Sequence, residues 1–214
     1  MLTLALSTSG QATLPLDVLG GLTLLSLAPF FVVMMTSYAR IVIVLSLVRS
    51  AIGASSLPPN AVLNGLALVL SFAVMGPTLH AVMQDAVDPY RAGKINQIQV
   101  VERAYEPLRH FMLRQTHPKD IRLFTHAERL APQKMPPEVL IPAYVVGELR
   151  DAFSIGTALY LPFVAIDLVV SAILMGMGMF MLSPPVISLP CKLLLFVMVD
   201  GWSLVCGGLV DSFR

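Results

Sequence analysis

Two carboxylates lie inside otherwise apolar stretches. Asp167 interrupts the run that begins at Ala152, and Asp200 sits in the run that resumes around Ser188. A carboxylate in such a setting is costly unless paired, and it serves as a proton relay, an ion ligand or half of an ion pair. Two readings are open for Asp167 and Asp200. In one they carry protons in a force-driven transporter. In the other, which is preferred, they are structural and bond helix termini or a neighbouring subunit's Arg or Lys. Glu148 and Lys192 each stand at the edge of an apolar region, where an unpaired charge is again costly. They form a candidate ion pair, which in an oligomer would join one subunit to the next and fix register; two independent snorkelling charges are the alternative. Arg40 and Arg49 are nine residues apart and so project from opposite faces of one helix. One is expected to anchor at an interface and the other to pair with a partner, and the sequence does not say which.

Met175, Met177, Met179, Phe180 and Met181 belong to the tract Met-Gly-Met-Gly-Met-Phe-Met, with two glycines among its seven residues. Methionine is unbranched and deformable, and a glycine weakens a helix by up to about 1 kcal/mol relative to alanine. From the residues alone ordinary membrane-helix packing is the preferred reading, and a deformable seal is the alternative the combination would suit. Catalytic chemistry finds little support. His80, His110, His117 and His126 show no ligand spacing such as His-Glu-x-x-His. Gly93-Lys94 is not a phosphate-binding loop, because the upstream glycine it would need is Asp88. Neither Asp167 nor Asp200 follows a Gly-x-Gly sequence, as an intramembrane aspartyl protease would want. Cys191 and Cys206 stand fifteen residues apart in apolar runs, and read as two buried small hydrophobes. No enzyme, metal or cofactor is expected.

The elements that must position these residues follow from how charge is distributed. The chain is 56% hydrophobic and 13% charged, more apolar than a soluble domain can cover, with a mean hydropathy of +0.78. Net charge is +1, which gives no electrostatic case for nucleic acid. Of 27 charged residues, 19 fall between Asp85 and Asp151. The chain therefore reads as one all-α membrane subunit over 1–214, with a first apolar hairpin over 14–84, a polar helical segment over 85–151 and a second apolar hairpin over 152–210. Val18 to Ala39 is 22 residues without a charge, about 33 Å of helix and enough for a bilayer core. Pro58-Pro59 breaks the first hairpin, with Asn60 as the expected N-cap of its second arm. The third run is expected to end near Leu182 and the fourth to resume around Ser188. In the middle, Pro107 is expected to start a new helix, Pro118 another short one, and 132–142 reads as a breaker-rich connector. Arg40, Arg49 and Lys192 near the two turns place those turns on the cytoplasmic side and the long middle segment toward the periplasm. Met1-Leu-Thr-Leu-Ala-Leu lacks a basic n-region and does not read as a cleavable signal peptide.

Several blocks carry a resemblance. Met34–Gly53, Pro58–Leu68, Glu148–Gly156, Leu161–Val170, Ser183-Pro-Pro and Leu193–Trp202 match, in order, the signatures of the FliP/SctR family of type III export-gate proteins. The resemblance implies a structural subunit that forms a pentamer in the bacterial inner membrane, at the core of a flagellar basal body or injectisome. Implied partners are copies of itself, two smaller membrane subunit families (FliQ/SctS-like and FliR/SctT-like), a large FlhA/SctV-like subunit, and the unfolded proteins that pass through. In the family a methionine cluster forms the pore gasket, which maps onto Met179, Phe180 and Met181; many members have methionine where Phe180 stands. Thr23–Pro29 and Pro107–Thr116 look more like the flagellar branch, the short N-terminus more like the injectisome branch, and the flagellar reading is preferred. A small proton-coupled carrier or channel is the remaining alternative.

Overall fold

The computed structural model describes residues 16–54, 57–125 and 135–213, and among them all regular structure is helical. In order these are α1 (Leu16–Met35), α2 (Tyr38–Ile52), α3 (Asn60–Val82), a π-helical turn over Met83–Val87, α4 (Asp88–Arg91), α5 (Gln97–Gln115), α6 (Pro118–Phe124), α7 (Pro137–Gly176), α8 (Pro184–Met198) and α9 (Gly201–Asp211). Asn60–Arg91 and α7 are long and apolar enough to cross a membrane. Two bent pairs, 29–52 and 184–211, would raise the count to four if each is one broken span.

The core is organised around α2. Ile41, Val44, Leu45, Val48 and Ile52 recur at helical spacing and are all buried, so one stripe of α2 points inward. It packs on Leu63 and Ala67 of α3, Ala152 and Phe163 of α7, Phe196 of α8 and Val205 and Leu209 of α9. Helices α2 and α7 run parallel: Arg40 lies opposite Glu148, and Leu47 lies opposite Gly156. A Cβ at Gly156 would collide with the Leu47 side chain, so the missing side chain sets how closely the two helices approach. A second cluster, Met75, Phe111, Met112, Leu140 and Tyr144, joins the polar middle to the N-terminal half of α7.

Several expected boundaries move. Helix α7 is a single 40-residue element, about 60 Å long. It runs through the expected edge at 151–152 and keeps both Pro142 and Pro162 inside it. Likewise Pro107 lies within α5 rather than at a helix start, and the α3 span passes the expected end at 84 and continues to Arg91. Proline inside a helix removes one backbone bond and crowds the preceding turn, but packed membrane helices tolerate it because neighbours re-satisfy the freed groups. Pro118 does open a short helix, α6. Asn60 is not an N-cap: Pro59 takes that position without a side-chain cap, and the Asn60 carboxamide accepts from Arg49 instead.

Candidate functional site

Helix α7 ends at Gly176, earlier than the expected Leu182, and the reason is a glycine. Gly178 has φ +75°, its N–H donates to the Met175 carbonyl at 3.1 Å, and the Met179 N–H donates to the Leu174 carbonyl at 2.9 Å. These two bonds are the paired closures of a Schellman motif, which needs a left-handed residue at this point. Gly178 therefore terminates the helix rather than loosening it. Pro184 and Pro185 then open α8, at positions where a missing N–H leaves no intrahelical bond unmade. Between the two helices lies a seven-residue loop, 177–183. Every one of its residues is exposed, with Phe180 at 79% and Met181 fully open. Asp167 pairs with Lys192 opposite the α2–α3 turn, where Gly53 approaches Lys192. Nine more residues carry α7 about 13 Å beyond that level. The methionine-rich tract thus forms the tip of a protruding hairpin, covered by no other described element.

Among the described residues three ion-pair groups join different helices, and within one chain Glu148 does not meet Lys192. In the first group Arg40 donates from Nε and Nη2 to the two Glu148 carboxylate oxygens, at 2.9 and 2.6 Å. Nη2 also donates to Asp151, at 3.0 Å. Nη1 reaches Ser212, and the guanidinium lies 4.1 Å from the Phe213 ring centre. The Arg40 and Glu148 side chains are 3% and 1% exposed. This bidentate, buried geometry is the strong form of the interaction. In the second group Lys192 donates to Asp167 at 2.7 Å, and the Ser188 hydroxyl donates to the other oxygen of the same carboxylate. Within one chain Glu148 and Lys192 thus each have a different partner, Arg40 and Asp167, on a helix they already pack against; the expected pair was one between neighbouring subunits. In the third group Arg150 pairs with Asp120 of α6, which is wholly buried. A Cβ at Gly147 would meet Asp120 at 3.3 Å.

Of the two expected arginine roles, Arg40 is the buried paired residue. Arg49 closes the α2–α3 turn through the Pro58 carbonyl and Asn60. Asp200 behaves unlike the other acids. It lies at the break between α8 and α9, has φ 49°, and makes no side-chain cap. Its neighbours explain the Asp-Gly-Trp block: a Cβ at Gly201 would collide with the Phe196 ring, and Trp202 packs edge-on against that ring at 5.2 Å. Cys206 is partly buried, but Cys191 is exposed on the outer face of α8, contrary to expectation. Among the described residues no three His, Cys, Asp or Glu side chains converge as metal ligands; His126 lies outside them. Sequence reasoning missed Ser188, Asp151, Asp120 and Phe213. The Asp167–Lys192 pair had a usable signal, since the two residues lie at nearly the same distance in sequence from Phe180 at the middle of the methionine loop.

A family model, the FliP family, matches residues 21–209. The chain belongs to the FliP family. One relative, the flagellar biosynthetic protein FliP of Pectobacterium carotovorum, is 47% identical over 218 aligned positions, covering all of this chain and 84% of its own length. The Bacillus subtilis protein of the same name is 44% identical over 196 positions, covering 90% of this chain and 89% of its own. That of Caulobacter vibrioides is 45% identical over 203 positions, covering 92% and 76%. The FliP match spans every helix that carries the three ion-pair groups and the protruding loop.

Proposed function

We propose that this chain is a structural subunit of the flagellar type III protein export gate. In this reading it acts in the bacterial inner membrane as a pentamer, with two smaller sister subunits and a large export subunit as partners. The flagellar names of its relatives favour the flagellar branch over the injectisome branch. The observation that carries the reading is the loop at the end of the α7–α8 hairpin. Three methionines and a phenylalanine, Met177, Met179, Phe180 and Met181, project where no described element of a single chain covers them, with Met175 exposed at the end of α7 behind them. An exposed apolar tip of this size is unfavourable in a lone molecule. Brought together by rotational symmetry, five such tips would make a flexible, polarizable ring at an axis. Methionine suits such a ring because it repacks around whatever passes.

The chain's own parts divide the work. Gly178 and the Pro184-Pro185 pair fix the two ends of the loop, so that closing and yielding are confined to 177–183. The Lys192–Asp167–Ser188 group ties the arms of the hairpin together behind the loop. Arg40 with Glu148 and Asp151 holds the base of α7 to α2. The outer apolar faces of α3, α7 and α8 remain for sister subunits and lipid. With both turns cytoplasmic, the middle segment α4–α6 faces the periplasm.

The experiment is a paired leak and export measurement in cells. Replacing Met177, Met179, Phe180 and Met181 together by alanine is expected to leave the complex assembled, while small solutes enter the cytoplasm faster and flagellar protein export falls. An unchanged solute barrier in an assembled complex would refute the seal. A bulky thiol reagent on a single cysteine placed at 180 is expected to block export, and unimpeded export with complete labelling argues against an axial position.

A further inference from the structure

The far end of the α3 span carries a polar pocket that the export reading leaves unused. Residues 60–84 hold no Asp, Glu, Lys or Arg, about 37 Å of helix against a hydrocarbon core of about 30 Å. The first charge beyond that run is Asp85, on the π-helical turn. Here α3 and α5 enclose a cavity of about 390 Å³, within the size range of small-ligand sites. Thr78, Ala81 and Asp85 recur at helical spacing on one wall, and Glu106, His110 and Arg114 on the other.

The two walls run in opposite directions, which layers the charges. Helix α5 returns along α3: its last residue, Gln115, donates to the Phe213 carbonyl, and the Phe213 ring lies against the buried Arg40. Arg114 is therefore at the inner end of the pocket, level with Thr78, and Glu106 is at the outer end with Asp85. Glu106 is held by Arg109. Asp85 and Arg114 make no side-chain hydrogen bond or ion pair among the described residues. Thr78 is 7% exposed and its hydroxyl likewise has no partner there, which is costly for a group so far from water. A cation at the hydrocarbon boundary also needs a counter-charge. Finally, an apolar track leads to the inner end. Val69, Phe72 and Gly76 lie exposed on one face of α3, a Cβ at Gly76 would meet nothing within 4 Å, and Pro77 joins this track to the pocket.

A base nearest the hydrocarbon, an acid farther out and an apolar track below both mirror one kind of molecule. In an aminophospholipid the phosphate lies next to the acyl chains and the ammonium beyond it. A free anion would leave Asp85 and the track unused, and an anionic headgroup would be repelled by Asp85. We propose that this pocket binds the headgroup of a zwitterionic aminophospholipid. Arg114 and a His110 ring N–H donate to the phosphate, the Thr78 hydroxyl donates to an ester oxygen, and Asp85 accepts from the ammonium. One acyl chain lies along Phe72 and Val69. Basic pockets between membrane helices hold headgroups in the same manner. The proposal rests on α3 meeting lipid and not on the export-gate reading.

The test uses the protein extracted in mild detergent in whatever assembly it forms, stripped of lipid and titrated with phosphatidylethanolamine or phosphatidylglycerol under native mass spectrometry. Phosphatidylethanolamine is expected to bind at least fivefold more tightly. Asp85→Asn is expected to abolish that preference. Arg114→Gln is expected to weaken both lipids at least fivefold, and Arg114→Lys, which keeps the charge, to retain them. Arg103→Gln, on α5 but outside the pocket, is expected to stay within twofold of wild type. A wild type that binds the two lipids equally, or Asp85 and Arg114 variants that bind as wild type does, overturns the proposal. Displacement of the lipid by an equal concentration of glycerophosphoethanolamine overturns it in favour of a soluble ligand. Loss of another subunit from the Arg114→Gln protein with lipid binding unchanged overturns it in favour of a protein partner. A wild-type chain that extracts without partners yet shows the lipid preference removes the export-gate reading and leaves this one standing.

Discussion

Removing the Arg40 guanidinium is the sharpest test of how this chain is held together. In Arg40→Met the apolar stem keeps its packing, but Glu148, whose side chain is 1% exposed, loses both of its hydrogen bonds and stands beside Asp151 without a counter-charge. Breaking one side of a buried pair costs roughly 3–5 kcal/mol, most of it from the stranded charge. Loss of the stacking on Phe213 adds on the order of 1 kcal/mol. Replacing Glu148 as well, as Arg40→Met with Glu148→Met, removes the stranded charge. Asp151, which is 25% exposed, can then turn toward water. The double variant is expected to recover about 2 kcal/mol or more of what the single variant lost, because apolar replacements of a whole buried pair are often near neutral. The assay is reversible unfolding of the purified chain in mixed micelles, followed by circular dichroism across a denaturing-detergent gradient. The two singles and the double form a mutant cycle. A single variant within 1 kcal/mol of wild type, or strictly additive losses, would refute the claim that this pair is a coupled buried unit.

Three further outcomes follow from the geometry. Lys192→Glu is expected to reduce the amount of assembled protein in membranes, and Asp167→Lys in the same chain should restore it while Glu148→Lys should not; the opposite pattern of rescue would show that the α7–α8 pairing is wrong. Gly156→Val places a side chain in the space of Leu47 and is expected to cost about 1–3 kcal/mol in the same unfolding assay; a neutral result would mean that α2 and α7 are not in close contact there. Gly178→Ala forces a Cβ into a left-handed position at about 1 kcal/mol, so the Gly178 and Met179 amides should exchange with solvent roughly fivefold faster while global unfolding stays within experimental error. Unaltered exchange at those two amides would remove the Schellman closure.

The all-helical membrane character was legible because charge segregation and long uncharged runs report directly on what each segment can be dissolved in. The family blocks were legible for the same reason: they sit in those runs and at their turns. Helix limits were less so. Glu148, Arg150 and Asp151 look like the edge of a polar region, yet they lie in mid-helix because each finds a partner from another element: Arg40, Asp120, and Arg40 again. Partnerships separated by 108 residues in sequence leave no local trace. The two glycines of the methionine tract looked alike in sequence, and only the backbone shows that Gly178 is the stop signal while Gly176 completes α7. Asp200 was picked out as an unusual acid, but that its carboxylate has no partner among the described residues is a three-dimensional fact.

The distance along the chain between Arg40 and Glu148 also bears on how the protein is made. A ribosome adding about 5–20 residues per second leaves roughly 5–20 s between the two, during which α2 holds a cation that hydrocarbon tolerates poorly. A lone arginine at the centre of an inserting helix is unfavourable by about 2.5–3.5 kcal/mol. The first hairpin therefore enters the bilayer carrying that cost, and the second lowers it on arrival by bringing the acids that pair with Arg40. The latter half of the polypeptide thus completes the electrostatics of the earlier half.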